Sequence, residues 1–367
     1  MSKTEWKECK LSELLTIKYG KNQKAVEDPN GRIPIYGTGG LMGFASRPLY
    51  DKPSILIGRK GSIEKVRYVD HPFWTVDTLF YSEINKEIVL PKFLYYSMSL
   101  TNFSNYNEGT TIPSLRTETL NRLIYRIPSF KIQEKIVQIL SSLDDKIELN
   151  NAINRNLEEQ AKAIFKNWFV DFAPFGGEMP DDWTTASLSD IADYLNGLAM
   201  QKFRPKENEV GLPVLKIKEL RQGFPGDDAE QCSPSIKSEY IVNDGDVIFS
   251  WSGSLLVDLW CGGTCGLNQH LFKVTSQKFG KWFYYLWTKH HLDRFVFLAA
   301  DKATTMGHIK REELDKAEVC IPSKSDYDKI GSSLKPIIET IIAKKVENRH
   351  LITLRDELLP KLMSNMQ

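Results

Sequence analysis

Arg59 and Lys60 stand at the tip of a Gly/Ser turn, Gly58-Arg59-Lys60-Gly61-Ser62, directly behind the apolar run Ile55-Leu56-Ile57. A guanidinium is a planar fork of donors that matches the two acceptors on a guanine edge, and the neighbouring ammonium can reach the same edge or a phosphate. The frame recurs as Val247-Ile248-Phe249 followed by Ser250-Trp251-Ser252-Gly253-Ser254, with Trp251 and Ser252 in place of the two basic residues. An ordinary hairpin whose tip is free to drift explains this equally well, because Gly/Ser turns are common. Thr110-Thr111 precedes Arg116, and Thr304-Thr305 precedes Lys310 at the same spacing. Hydroxyls and amides at a helix start bind phosphate, and a basic residue six positions on reinforces them; plain helix capping accounts for half of this pattern without a ligand. The candidate nucleic-acid contacts are therefore Arg59, Lys60, Ser62, Thr110, Thr111 and Arg116, with Trp251, Ser252, Ser254, Thr304, Thr305 and Lys310 as the second set.

Other chemistry is poorly supported. Cys261, Cys265 and His270 lack a fourth ligand for zinc, and the matching first stretch holds no cysteine, so unpaired structural cysteines are the favoured reading. His290 and His291 lie on an aromatic helix, where packing is the expected role. No G-x-x-x-x-G-K-[ST] phosphate loop occurs, nor the aromatic tetrapeptide of an amino-methyltransferase, nor an acidic cluster suited to a metal-dependent nuclease. Neither catalytic residues, nor a metal, nor a cofactor are expected in this chain, which reads as a recogniser.

Composition sets the bounds. The 367 residues, 41% hydrophobic and 26% charged, suit a soluble protein of two or more domains. There is no run of about 18 apolar residues and no signal-peptide core near the start, and the five cysteines are odd in number; a cytoplasmic protein without a membrane span is expected. The formal charge of +1 is unevenly placed, +5 over residues 1–128 and −5 over 177–322. An acidic second part argues against broad phosphate binding by the chain alone, so any grip on DNA is local or shared with partners.

The elements that must carry these side chains come in two copies. WKECKLSELLTIKYG from Trp6 returns as WTTASLSDIADYLNG from Trp183, TTIPSLRTETLNRLIYRIP from Thr110 as TTMGHIKREELDKAEVCIP from Thr304, and NRNLEEQAKAIF from Asn154 as NRHLITLRDELL from Asn348. One unit of globular part plus long helix has been duplicated. The strings PSILIG, FWTVDTLFYS, VIFSWSGS and LNQHLFKV read as strands, and aromatic helices are expected around residues 91–104 and 281–297. A helix from Lys131 to about Val170 carries Ile132, Ile136, Ile139, Leu143, Ile147, Leu157, Ala161, Ile164 and Trp168 at steps of three and four, a coiled-coil seam with a stutter. About 40 residues at 1.5 Å each make it roughly 60 Å long. Pro174, Gly176, Gly177 and Pro180 stop it. The C-terminal seam, Ile330 to Leu362, is less regular, and Pro336 and Pro360 predict a kink or a broken start and an early end. Asn150, Asn154 and Asn348 fall on the seams, where an asparagine costs stability and fixes register.

The expected fold is α/β (α+β) globular domains in two tandem copies, each followed by a long helix. The helices would pair as an antiparallel coiled coil with pseudo-two-fold symmetry. The expected boundaries are 1–128 and 177–322 for the globular domains, 129–176 for the central helix and linker, and 323–367 for the C-terminal helix. Such symmetry suits a partner with two related half-sites, and duplex DNA is the obvious candidate. A coiled-coil scaffold binding only proteins, and a standalone nucleic-acid binder, are the competing readings.

Over its whole length the chain resembles the specificity subunits of type I restriction-modification systems. The resemblance is carried by the two globular units ending in Ile-Pro, by TTIPSLRTETL, by the helix IPSFKIQEKIVQILSSLDDKIELNNAINRNLEEQAKAIFKNWF and by its weaker copy ending RDELLPKLMS. It implies two target recognition domains, each reading one half of a bipartite, asymmetric sequence in double-stranded DNA. It further implies a helical spacer on which two modification (methyltransferase) subunits dock, and restriction (translocase and nuclease) subunits that join them. S-adenosylmethionine, ATP and Mg would be held by those partners and adenine N6 would be the methylated atom. Pro336 and Pro360, standing where the central helix has Ser142 and Lys166, make docking at the two ends unequal.

Overall fold

The computed structural model describes residues 6–301 and 309–365. The chain divides into two compact units, one formed by residues up to Asp145 together with those from Ile352 onward, the other by Lys146–Leu351.

The first unit is built on an antiparallel sheet in the order Leu15–Tyr19, Leu79–Ile84, Ser54–Gly58, Val66–Val69. Ser54–Gly58 is buried along its whole length, which explains its unbroken apolar run. The one polar side chain in it, Ser54, donates to the Ser82 carbonyl and accepts from the Ser82 amide, each at 2.8 Å, so the burial strands no polar group. A smaller sheet, Gly40–Ala45, Ile33–Gly37 and Trp74–Thr75, contains one parallel pair. A ribbon of Lys7–Lys10 with Ile124–Ile127 closes the unit. Phe93, Leu94, Tyr96 and Met98 of the helix Pro91–Ser99 enter its core.

The second unit repeats this plan. Its main sheet runs Asp193–Asn196, Leu271–Thr275, Val247–Ser250, Leu256–Leu259, in the matching order, and its smaller sheet again holds one parallel pair, Leu212–Leu215 with Cys265–Leu267. Thr184–Ser187 and Glu318–Ile321 form the closing ribbon. The helix Lys281–His290 is buried from Trp282 to Thr288, as a helix apolar all round must be.

Gly20 and Gly197 show why the repeat keeps a glycine. Their amides donate to the Leu79 and Leu271 carbonyls at 3.0 Å. A Cβ on Gly20 would lie 2.0 Å from the Val76 oxygen, and one on Gly197 2.2 Å from the Asn268 oxygen; no side chain fits.

The central helix spans Phe130–Phe169 and the C-terminal helix Lys324–Asn365. Each contributes to both units. Inside the first unit they run antiparallel, with Asp144 beside Arg355 at 2.9 Å and Ile136 and Leu140 sharing a core with Leu359 and Leu362. Inside the second they do so again, with Asn150 beside Asn348 and Ala161 sharing a core with Ile338 and Ile341.

Several expectations are corrected. Ile139 is 39% exposed while Leu140 is fully buried, because the inner face of the helix is set by the globular core it covers as well as by the partner helix. The C-terminal helix begins at Lys324 and passes through both prolines unbroken. Pro336 and Pro360 are exposed, as are Ser332 and Asp356, whose carbonyls lose their helical partners, so water can satisfy those groups. The first aromatic helix stops at Ser99. Asn102 then caps a short 3-10 turn at Phe103–Tyr106, accepting from the Ser104 amide. The second splits into Lys281–His290 and Leu292–Asp301.

Candidate nucleic-acid interface

In the first unit the turn at 58–62 and the loop at 110–116, far apart in sequence, are stitched together. The Gly61 amide donates to the Pro113 carbonyl at 2.9 Å, the Leu115 amide to the Arg59 carbonyl at 3.0 Å, and Lys60 forms a β-bridge with Ser114. In the second unit the Ile309 amide donates to the Trp251 carbonyl at 3.1 Å. Arg59 matches Trp251 and Leu115 matches Ile309 in the repeat, so one device is built twice. Gly61 and Gly253 turn the tips at φ +89° and +66°, the region that favours glycine.

The two tips are held differently. Arg59 Nη1 donates to the Asp77 carbonyl at 2.9 Å, and its guanidinium lies 5.1 Å over the Tyr19 ring. Trp251 Nε1 donates to Asn196 Oδ1 at 3.0 Å, and its ring packs on Phe272 at 5.7 Å and His270 at 6.2 Å. Lys60 and Ser62 are exposed. Ser254 is exposed while Ser252 is buried. The Ser250 hydroxyl binds the tip by donating to the Ser252 and Ser254 carbonyls at 3.2 and 3.0 Å.

Thr110 and Thr111 are exposed and cap nothing, a correction to the helix-start reading. The helix there is Thr117–Asn121, with Arg116 at its cap position and no side-chain cap bond, too short for a sizeable dipole. Arg116 Nε instead pairs with Glu108 Oε2 at 3.1 Å. Lys310 is exposed ahead of the short helix Glu312–Asp315. Thr304 and Thr305 lie outside the described residues.

Structure adds residues that motif reading missed. Tyr19 and Asn196 meet the tips, and their one sequence signal is a shared repeat position just before Gly20 and Gly197. Arg67 stands 5.3 Å over the Tyr36 ring, and the Tyr36 hydroxyl meets His71 Nε2 at 3.0 Å. Burial pushes the Tyr36 phenol up, and the Arg67 guanidinium pulls against it.

Away from the tips, Asn150 Nδ2 donates to Asn348 Oδ1 at 2.9 Å and to Glu347 Oε2 at 3.0 Å, and Asn348 Nδ2 to Asn151 Oδ1 at 2.8 Å. Asn154 is buried and its Oδ1 has no partner among the described residues. Burial pushes the thiols of Cys261 and Cys265 up to about 11 and about 12, which disfavours thiolate ligands. Among the described residues no group of three or more His, Cys, Asp or Glu is placed to hold a metal.

Fold and site together define a tandem reader, two copies of one α/β unit presenting equivalent loops with different side chains. A family model described as type I restriction modification DNA specificity domain matches residues 3–159 and 180–351, and the chain belongs to that family. It is 27% identical over 339 residues to the specificity subunit of the type I restriction enzyme MjaIX of Methanocaldococcus jannaschii, covering 86% of this chain and 78% of that one. To the HindI specificity subunit of Haemophilus influenzae it is 22% identical over 360 residues, covering 77% and 78%. In fold it matches the crystal structure of a type I S subunit from M. genitalium at a TM-score of 0.62 with 16% identity, over 99% of this chain and 97% of that one. Specificity subunits are non-catalytic and act with DNA and with the other subunits of their systems, to which the chemistry belongs. Among the described residues no helix is long and apolar enough to cross a membrane.

Proposed function

We propose that this chain selects the DNA target of a cytoplasmic type I restriction-modification complex. Residues 1–128 and 177–322 each read one half of a bipartite, asymmetric duplex sequence. The helices of 129–176 and 323–367 set the gap between half-sites and dock two methyltransferase subunits, with restriction subunits joining that assembly. Arg59, Lys60, Ser62, Thr110, Thr111 and Arg116 form one DNA-facing set; Trp251, Ser254, Thr304, Thr305 and Lys310 form the other, while Ser252, expected among them from the sequence, is buried behind its tip. The observation that carries this reading is the pair of stitched loops, one frame built twice with different tips. A repeated frame with changed side chains is what reading two unlike half-sites requires, since base identity is read by side chains while the backbone frame positions them. Adenine N6 chemistry requires the base to leave the stack, so the methyltransferase flips it while the reader holds the flanking sequence.

Single-molecule sequencing of host DNA for methyladenine, with the gene intact and deleted, tests the assignment. Loss of one bipartite methylated motif on deletion is the expected result. An unchanged pattern under conditions of expression overturns it in favour of a protein-binding scaffold.

A further inference from the structure

Tyr19 and Asn196 occupy one position of the repeat, and Arg59 and Trp251 another. Strand register makes the match independent of alignment. Tyr19 lies opposite Phe80 and Asn196 opposite Phe272, while Ile57 pairs with Phe80 and Phe249 with Phe272. In each unit the two positions meet side chain to side chain, as a guanidinium over a phenol ring in the first and as an indole bonded to an amide in the second.

Each contact restricts one group and leaves part of it unused. Arg59 spends Nη1 on the Asp77 carbonyl, and a guanidinium has five donors in a fixed plane, so an edge of the fork remains. An indole N–H donates only, so the amide of Asn196 must present Oδ1 to Trp251 and cannot flip; its NH2 and the second lone pair of Oδ1 remain. Asn196 is exposed, and Arg59 is half-buried beside Tyr19, itself 52% exposed, so a base edge can approach Asn196 and the free edge of the guanidinium.

We propose that these pairs determine specificity: Arg59, steadied by Tyr19, selects a guanine in one half-site, and Asn196, oriented by Trp251, selects an adenine in the other. The inference rests on the DNA-reading function proposed above. Guanine offers O6 and N7 to the free edge of the guanidinium; adenine accepts at N7 from the Asn196 amide and donates from N6 to its oxygen. Holding each reader in place before contact lowers the ordering cost of binding. Trp251 is then a positioning residue, and the two half-sites differ because one repeat position changed from Tyr to Asn and the other from Arg to Trp.

The test uses the full chain co-expressed with the methyltransferase subunits of its own system in a host without other adenine methylation, the motif being read by single-molecule sequencing. Arg59→Lys keeps the charge and loses the fork, Asn196→Ala loses the amide, and Trp251→Phe keeps a ring but loses the N–H. Arg59→Lys should relax one G·C pair in one half, and Asn196→Ala one A·T pair in the other, each with at least about a five-fold loss of discrimination. Trp251→Phe should relax the same A·T pair as Asn196→Ala, a result that a merely structural role does not produce. Should a variant fail to fold, the wild-type complex is assayed on targets whose guanine or adenine N7 is replaced by carbon, and slower methylation of each is expected. A wild-type motif left unchanged by the folded variants, or by the base analogues, overturns the pairing while DNA reading stands. So does relaxation of the same half by both. A wild-type chain that supports no motif overturns the DNA-reading function itself.

Discussion

At Gly20 and Gly197 a single Cβ decides whether the strand end can close against the loop that leads into its neighbouring strand, at Val76 in one unit and at Asn268 in the other. Gly20→Ala and Gly197→Ala drive that carbon into a backbone oxygen, which cannot rotate away as a side chain can. Each should destabilise its unit by about 3 kcal/mol or more. Gly39→Ala, with nothing within 4 Å, should change stability by less than about 0.5 kcal/mol in the same urea titration. His291 makes a second prediction. Burial pushes its ring down to about 4, helped by His290 and Arg294 and opposed by the hydrogen bond to the Glu318 carbonyl. Between that value and about 6.5 the unfolded chain binds a proton that the folded chain refuses. Stability is therefore complete above about pH 6.5 and falls as pH drops toward 4. His291→Leu should flatten this stretch of the stability curve, and an undiminished slope would rule out His291 as its source. Of the residues at the tips, Arg59 and Trp251 were legible as types in a frame. Tyr19 and Asn196 were not, because their meeting with the tips depends on strand register.

Among elements, the helix pair carries the clearest test. Asn150 and Asn154 each keep a buried oxygen without a partner among the described residues, but Asn150 also places its NH2 on Asn348 and Glu347, bonds that removal of its amide would break. An unsatisfied buried carbonyl costs free energy that a hydrocarbon of similar size avoids. Asn154→Leu is therefore expected to stabilise the chain by about 1 kcal/mol, and Asn150→Leu to destabilise it by about 1–3 kcal/mol by stranding Asn348 Oδ1. Chemical denaturation with opposite shifts of midpoint is the signature; shifts of the same sign defeat the register argument. Helix existence and length were plain from periodicity, with Phe130–Phe169 close to the expected span. The inward face at Leu140 instead of Ile139, and the passage through two prolines, were not plain. Both depend on what lies against each helix face, globular core in one case and water in the other.

For the whole molecule, the uneven charge of +5 over 1–128 and −5 over 177–322 leaves little scope for non-specific phosphate binding across both units by the chain alone. If the shared helices set the gap between half-sites, inserting seven residues into the central helix should lengthen the unspecified gap of the methylated motif and leave both half-sites unchanged. A retained activity with the original gap refutes the ruler.

Duplication, the two long helices, the glycine frame and the family are all written in the sequence, because each is a periodic or local pattern that survives reading one residue after another. Tertiary structure alone decided that the turn at 58–62 is bonded to the loop at 110–116, that Tyr19 lies under Arg59, and that Asn196 is held by Trp251. Those contacts join residues dozens of positions apart through the alignment of strands, and a shift of one residue would turn every side chain to the opposite face.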